Sequence, residues 1–376
     1  MKKICHLTSV HPRYDTRIFV KECGSLAESG YDVNLVVADG LGDELRRNVR
    51  FYDVGKPKNR LNRFWTVTDD IYKKALELNA DVYHLHDPEL IPIGVKLKRH
   101  GKKVVFDAHE DVPKQILSKT YINKPARVLL SQGFSVYERW ACAKFDAVVA
   151  ATPFIEKKYL EINPRTINVS NFPILGELSG GPVNWLGKES QVCYVGGISL
   201  SRGIKEIVAA MEVVKADVRL QIAGVFPNEG NILSVKQQPG WESVDELGFL
   251  DRDAVRSVLE RSIAGLVTLH PLINYQDALP IKMFEYMSAG LPVIASKFPL
   301  WESIVQGHKC GICVDPLRPS EIAHAIDYLI TNPEEAKKMG ENGQKAVEDI
   351  YNWQKEKLKL IDLYKSLLST QPLGSM

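Results

Sequence analysis

No stretch of this sequence approaches the roughly 20 consecutive apolar residues that a membrane-spanning helix needs. The opening Met-Lys-Lys-Ile-Cys-His-Leu-Thr has too short an apolar run for a secretory leader and reads as a first strand. Cysteine is scarce: six in 376 residues, at positions 5, 23, 142, 193, 310 and 313. Most sit inside apolar strand or helix patterns, so reduced, buried thiols in a cytoplasmic protein are expected rather than a disulfide framework. Cys310-Gly-Ile-Cys313 has the spacing of a redox or metal motif. It leads into the strand-like "GICVDP" instead of opening a helix, so neither chemistry is expected there. The turn after the first strand has no Gly-x-Gly-x-x-Gly, the mark of a dinucleotide fold. No low-complexity or concentrated basic tract is present, which argues against nucleic-acid binding.

What is present is strand–helix alternation from end to end. In the first half the β-rich runs are "KICHLTSV", "DVNLVVA", "DVYHLH", "KVVFDAH", "DAVVAAT" and "TINVSNF". In the second they are "QVCYVGG", "VRLQIAG", "ELGFL", "AGLVTLH", "PVIAS" and "GICVDP". Amphipathic patterns lie between them, for example "TRIFVKECGSLAESG" with its Gly30 stop. This pattern predicts an α/β protein of two doubly wound, Rossmann-like domains, each a parallel sheet with helices on both faces. The expected domains are 1–172 and 173–351, joined through "NVSNFP" and the glycine-rich "LGELSGGPVNWLG". A last amphipathic helix is expected over 352–370, and the final "PLGSM" is left out of the fold reading. The small net charge of +2 conceals an asymmetry: residues 1–172 carry 28 basic and 21 acidic side chains, the remainder 20 and 25.

Ligands of open α/β sheets bind beyond the carboxyl ends of the strands. The first such loop, "TSVHPRYDTRIF", presents His11, Arg13, Asp15 and Arg17. One reading is a helix cap at Asp15 or Thr16 with Arg17 solvated; the other is an anion or sugar site. At "YHLHDPEL", His84, His86 and Asp87 form a second polar strand end. Asp87 before Pro88 reads as a cap, and a zinc site is disfavoured because no acid and histidine share a helix face nearby. The second half is more specific. In "YVGGISLSRGIKEIVAAM", Gly196 and Gly197 precede Arg202, near a helix start. In "ALPIKMFEYMSAG", Pro280 opens a helix and Lys282 falls in its first turn, where the dipole is already positive and a cation costs about 0.3–1 kcal/mol. Two helix N-termini, two cations and two glycines that admit close backbone approach make a pyrophosphate site without metal. Glu285, one turn beyond Lys282, would repel a phosphate and suits a ribose diol instead.

These residues resemble the family 4 glycosyltransferases of the GT-B fold over nearly the whole chain. The likeness is carried by "VGG…SRG", "LPIKMFEYMSAGLPVIAS", "CGICVDP" and the terminal "YNW" helix, with "HPRYDTRIF" and "FDAHED" like bacterial surface-polysaccharide and lipopolysaccharide members. The resemblance implies two domains facing across a cleft, the first holding the acceptor and the second the nucleotide-diphosphate sugar, with the C-terminal helix crossing back to the first. It implies transfer with retention of anomeric configuration, without cofactor or required metal. Arg202 stands where the family has the lysine of its phosphate-binding pair, and Gly197 where it has the arginine, which shifts charge onto Lys282. Glu285 matches the second acid of the family's paired glutamates, expected on the ribose. Asp277 replaces the first, expected near the donor sugar. His109 resembles the first-domain histidine against that sugar. Catalytic roles are therefore expected for His109, Arg202 and Lys282, by electrostatic stabilisation of the leaving phosphate.

A UDP-sugar is favoured as donor because many relatives use one. The acceptor is a glycan or a lipid-linked molecule. The segment "VPKQILSKTYINKPARVLLSQGFSVYERWACAKF" mixes cations with apolar residues, and with the basic first half it admits peripheral contact with an anionic inner membrane. A core helix pair with a solvated basic face is the other reading. Two alternatives to transfer stay open: a nucleotide-sugar epimerase of the same fold, and a non-catalytic nucleotide-sugar-binding partner protein.

Overall fold

Two parallel sheets organise the chain, and they belong to two separate units in the computed structural model. The structure describes residues 1–119, 121–179, 181, 183–226 and 229–369. Positions 180 and 182 of the glycine-rich connection and the "PLGSM" end lie outside the described residues.

The first unit comprises Met1–Asn171 and the chain from Lys355 on. Its eight strands are β1 (Lys3–Leu7), β2 (Asp32–Val37), β3 (Glu44–Arg46), β4 (Val49–Asp53), β5 (Val82–Leu85), β6 (Lys103–Ala108), β7 (Ala147–Ala150) and β8 (Thr166–Asn168). Their order in the sheet is β3-β4-β2-β1-β5-β6-β7-β8. Every residue of β5 and β7 is buried, as both-face coverage by helices requires. All neighbours pair parallel except β3 and β4, an antiparallel edge hairpin turned by Arg47 and Asn48, both at positive φ (48° and 60°). The sequence reading did not foresee this hairpin. Its strands are short and charged, and its tight turn lacks the Asn-Gly signal such turns usually show.

The second unit is Phe172–Gln354. Its strands, β9 (Gln191–Val195), β10 (Arg219–Ala223), β11 (Val244–Gly248), β12 (Ala264–Val267), β13 (Val293–Ser296) and β14 (Gly311–Val314), are ordered β11-β10-β9-β12-β13-β14 and wholly parallel. The helix Ile204–Val213 shows how the layers bind. Ile204, Ile207, Val208 and Met211 recur at helical spacing and pack on Val192, Tyr194, Leu220 and Ile222 of β9 and β10. Each such side chain contributes about 1.5–3 kcal/mol on burial. The last helix, Trp353–Leu368, starts in the second unit, where the Trp353 amide donates to the Pro173 carbonyl (2.8 Å). It continues in the first, where buried Tyr364 meets His84 Nδ1 at 2.8 Å. Of the boundaries, 171/172 falls one residue before and 354/355 three residues after those expected from the sequence.

In each sheet the chain reverses its order once: between β1 and β5, and between β9 and β12. Side chains at those strand exits face the crevice where such folds bind ligands.

Candidate functional site

At the β9/β12 switch point of the second unit, the chain leaves β9 through Gly196, whose φ of +111° only glycine adopts without strain. A Cβ on Gly196 would lie 3.7 Å from Lys282 Nζ, and one on Gly197 would lie 2.7 Å from Arg202 Nη1. Both cations therefore converge on the double-glycine turn. Arg202 also fills the space that a side chain at position 197 would occupy. Arg202 Nη1 donates to the Gly197 carbonyl (3.1 Å), which also accepts from Tyr194 Oη (2.7 Å). Gly203, at φ +78°, lets the Ile204 helix begin against β12: a Cβ there would lie 1.9 Å from the Thr268 carbonyl oxygen.

Lys282 sits at the second position of the helix Ile281–Ser288, capped by Pro280 without a side-chain hydrogen bond. It is 9% exposed, its Nζ has no hydrogen-bond partner among the described residues, and it lies 3.6 Å above the Tyr194 ring. Burial and then the Arg202 charge hold its ammonium well below the usual lysine range, Glu285 opposing them. An unpartnered buried cation over a glycine turn is arranged to receive an anion.

Glu285, one turn on, does not stand alone. Arg252 Nη1 donates to Glu285 Oε1 (2.8 Å), while Arg252 Nε and Nη2 grip both oxygens of Glu177 (2.9 and 2.8 Å). Sequence reasoning missed Arg252 and Glu177. The signal was there: Arg252 follows the cap Asp251 as the first residue of the helix Arg252–Arg261, another cation at the positive end of a helix after a strand exit. Asp277 is half-buried at the end of the turn 273–277. Phe249 and Val225, 81% and 61% exposed just past β11 and β10, leave apolar surface on the same strand-exit edge.

The first unit's switch point is built differently. His6 of β1 and His84 of β5 are register partners. With His86 they form a buried stack, ring centroids 4.7–5.1 Å apart. His6 Nδ1 meets His86 Nε2 at 2.8 Å. Glu22 lies close enough that these groups meet the spacing of a metal cluster. The near-parallel rings and the Arg17 guanidinium 3.1 Å from Glu22 suit a hydrogen-bonded ladder better than a cation, whose imidazole ligands converge edge-on. His109 Nε2 lies 2.9 Å from Asp107 Oδ2. Arg17 binds both Asp107 oxygens (3.0 and 2.8 Å) and the Val169 carbonyl (2.8 Å).

That geometry corrects the reading of the first loop. Arg17 is not solvated but buried. Arg13 is buried too, its fork closed on Asp39 (2.7 Å twice) with Glu44 and the Gly42 carbonyl. Asp15 caps the helix Thr16–Cys23, accepting from the Arg17 and Ile18 amides (2.8 and 2.9 Å). These three are internal ties rather than an anion site, because each already faces a buried or neighbouring partner. His11, 3.0 Å from Asp87, keeps partial exposure. Asp87 stands at the N-cap position of the turn Pro88–Leu90, but its side chain makes no capping hydrogen bond. It accepts from the Ser9 amide (2.6 Å) and Thr8 Oγ1 (2.9 Å), and these with His11 outweigh burial and hold its carboxyl down at about 2. Cys310 and Cys313 are free thiols pushed up to about 12 by burial, which leaves them protonated and poor at redox or metal chemistry.

Comparison with known proteins agrees with this architecture. Residues 17–169 match the family described as Glycosyltransferase Family 4, and residues 182–346 match Glycosyl transferases group 1. The D-rhamnosyltransferase WbpZ of Pseudomonas aeruginosa is 24% identical over 288 residues, 73% of this chain and 71% of that protein. The alpha-D-kanosaminyltransferase of Streptomyces kanamyceticus is 28% identical over 155 residues, 40% of this chain and 39% of its own length. Several such matches span under half of the relative. In fold, the chain superposes on Anabaena HepE in complex with UDP at a TM-score of 0.75, with 14% identity and coverage of 97% and 100%. Both halves match glycosyltransferase families and the fold is GT-B throughout; the chain belongs to the family 4 glycosyltransferases.

Proposed function

We propose that the protein transfers a sugar from a nucleotide-diphosphate donor, UDP-linked in the first instance, to a glycan or lipid-linked acceptor of surface polysaccharide, with retention and without a metal. The observation that carries this is Lys282 and Arg202 converging on the Gly196–Gly197 turn at the β9/β12 switch point. The bond from the anomeric carbon to the β-phosphate oxygen breaks, and the acceptor oxygen bonds to that carbon on the same face. Its proton passes to the departing phosphate. Lys282, Arg202 and the two helix N-termini stabilise the charge that grows on that phosphate, the role a metal has elsewhere. Glu285 accepts from the ribose diol and Asp277 from a hydroxyl of the sugar. That HepE is described in complex with UDP supports the preference for UDP. Calorimetry with UDP-, GDP- and ADP-sugars tests the proposal. One donor should bind tightly, and its mixture with acceptor should yield free nucleoside diphosphate and a new glycoside. Binding of none by the folded protein, or return of an epimerised donor without acceptor, rejects it.

The acceptor side is proposed to meet an anionic lipid surface. No helix among the described residues is long and apolar enough to cross a membrane. The helix Lys124–Cys142 exposes Leu129 (72%), Val136 (71%) and Leu130 (53%) beside Lys124, Arg127 and Arg139. Apolar residues that would otherwise face water, set among cations, suit a surface that is apolar beneath anionic headgroups. The protein should co-sediment with vesicles containing anionic phospholipid and not with neutral ones, and Leu129→Glu with Val136→Glu should abolish this. Equal recovery with both vesicle types would remove the electrostatic half of the argument.

A further inference from the structure

One guanidinium divided between two carboxylates stands next to the phosphate-receiving turn, and nothing so far gives it a task. We infer that Arg252 is a positioning residue for nucleotide recognition: it fixes the Glu285 carboxylate toward the ribose diol, with Glu177 as its anchor. The inference rests on the reading of Glu285 as the ribose ligand.

Arg252 is held at both ends. Its backbone is set by the Asp251 cap, whose Oδ1 accepts from the Ala254 amide (2.9 Å). Its Nε and Nη2 donate side by side to Glu177, a fork-to-carboxylate pairing that fixes the plane of the guanidinium. The remaining Nη1 then reaches Glu285 Oε1 from a set direction (2.8 Å). Glu285 is only 13% exposed at its side chain, and Oε2 has no hydrogen-bond partner among the described residues. One oxygen is thus committed and the other remains to accept, in a carboxylate whose rotamer is already chosen.

The charge matters as much as the direction. A bare carboxylate one turn from Lys282 would raise the cost of bringing a diphosphate to that lysine. Arg252 offsets it: burial works against its charge, but Glu285 and Glu177 more than compensate and keep it ionised. Lysine could supply the charge but not two parallel donors to one carboxylate and a third to another.

The test measures UDP against 2′,3′-dideoxy-UDP by calorimetry, with GDP and ADP and their dideoxy forms as the parallel pairs, for wild type, Arg252→Ala, Arg252→Lys, Glu177→Gln and Glu285→Ala. Wild type should prefer the ribonucleotide by about tenfold or more, the ratio expected when a site built for hydroxyls meets an analogue without them. Arg252→Ala and Glu285→Ala should both bring the ratio near one, and the double variant should be no worse than Glu285→Ala alone. Arg252→Lys should recover affinity for both nucleotides without recovering the ratio, a split that a merely structural arginine would not produce. Glu177→Gln, which keeps the residue's shape, should lower the ratio partway. If Glu285→Ala loses the ratio while Arg252→Ala keeps it, Arg252 is a surface tether and the inference falls. If Glu285→Ala itself keeps the ratio, the ribose assignment falls and takes the inference with it. Absence of binding by every nucleotide overturns both along with the donor site.

Discussion

Lys282→Ala lowers kcat/KM for the donor by about 10²–10³-fold, the usual cost of removing one preorganised donor from a site where charge develops. The ligand-free variant, however, is expected to be at least as stable as wild type. Lys282 is a buried cation without a hydrogen-bond partner among the described residues, lying on an aromatic face and near a second cation. An unmet buried donor costs about 1–3 kcal/mol. Folding therefore bears a penalty that binding relieves, and the two measurements should move in opposite directions. Protonation follows the same logic. Burial and Arg202 depress the lysine in the free protein, so a diphosphate that draws the ammonium back into its charged form causes proton uptake whenever the pH lies above the depressed value. Calorimetry in two buffers of different ionisation enthalpy reads this directly. Uptake should rise as pH climbs through the depressed value, affinity should fall with it, and both trends should vanish in Lys282→Met. A variant that loses activity and stability together would show Lys282 to be a structural residue, and the phosphate assignment would fail.

The two parallel sheets were legible because burial on both faces writes continuous apolar runs into the strands, and strand–helix alternation leaves few other topologies. All six strands of the second unit overlap a β-rich run of the sequence, although β11 (VDELG) is only partly buried. The hairpin β3/β4 was not legible, since the edge strand β3 is three residues long with a charge at each end, and β4, though Val49 and Phe51 alternate inward, is only five residues long. At the proposed donor site Lys282, Arg202 and Glu285 could be found because each is locally anomalous: a cation at a helix start, or a carboxylate one turn from it. Arg252 could have been found by the same rule, but its partners are 33 and 75 residues away, and no local pattern announces such a pairing. The first loop failed for the opposite reason. Its arginines looked available because their carboxylates, Asp39, Glu44 and Asp107, are distant in sequence and are brought to them only by the fold. Cations crowded at a strand exit mark either a ligand or a hidden ion pair, and sequence alone does not separate the two.

That buried ion pair makes an unequal prediction about two acids. Arg17 faces both Asp107 and Glu22, and all three are buried. Its Nε lies near both carboxylates, but the hydrogen bond goes to Asp107, and neither Glu22 oxygen has a hydrogen-bond partner among the described residues. One cation cannot hold two carboxylate charges in a dry site, so one acid keeps its proton. Burial raises both, yet Arg17 and His109 hold Asp107 well below the carboxylate range, while burial and the Asp107 charge push Glu22 well above it. Glu22→Gln, a near-copy of the protonated acid, should then cost about 1 kcal/mol or less in urea unfolding at pH 7. Asp107→Asn should cost more, though Glu22 can ionise to replace the lost partner. Together the two changes leave Arg17 unpaired and should cost about 3–5 kcal/mol, exceeding the sum of the single effects by about 0.5–3 kcal/mol. The pH dependence has a fixed sign. A carboxyl raised by folding stabilises the native state below its unfolded value and loses that contribution as pH rises through its folded value. Glu22→Gln removes the loss, so the variant should gain on wild type as pH rises above the ordinary glutamate value of about 4.3. If it instead costs as much as Asp107→Asn at every pH, Glu22 is an ionised partner of Arg17 and the division of charge proposed for this cluster is wrong.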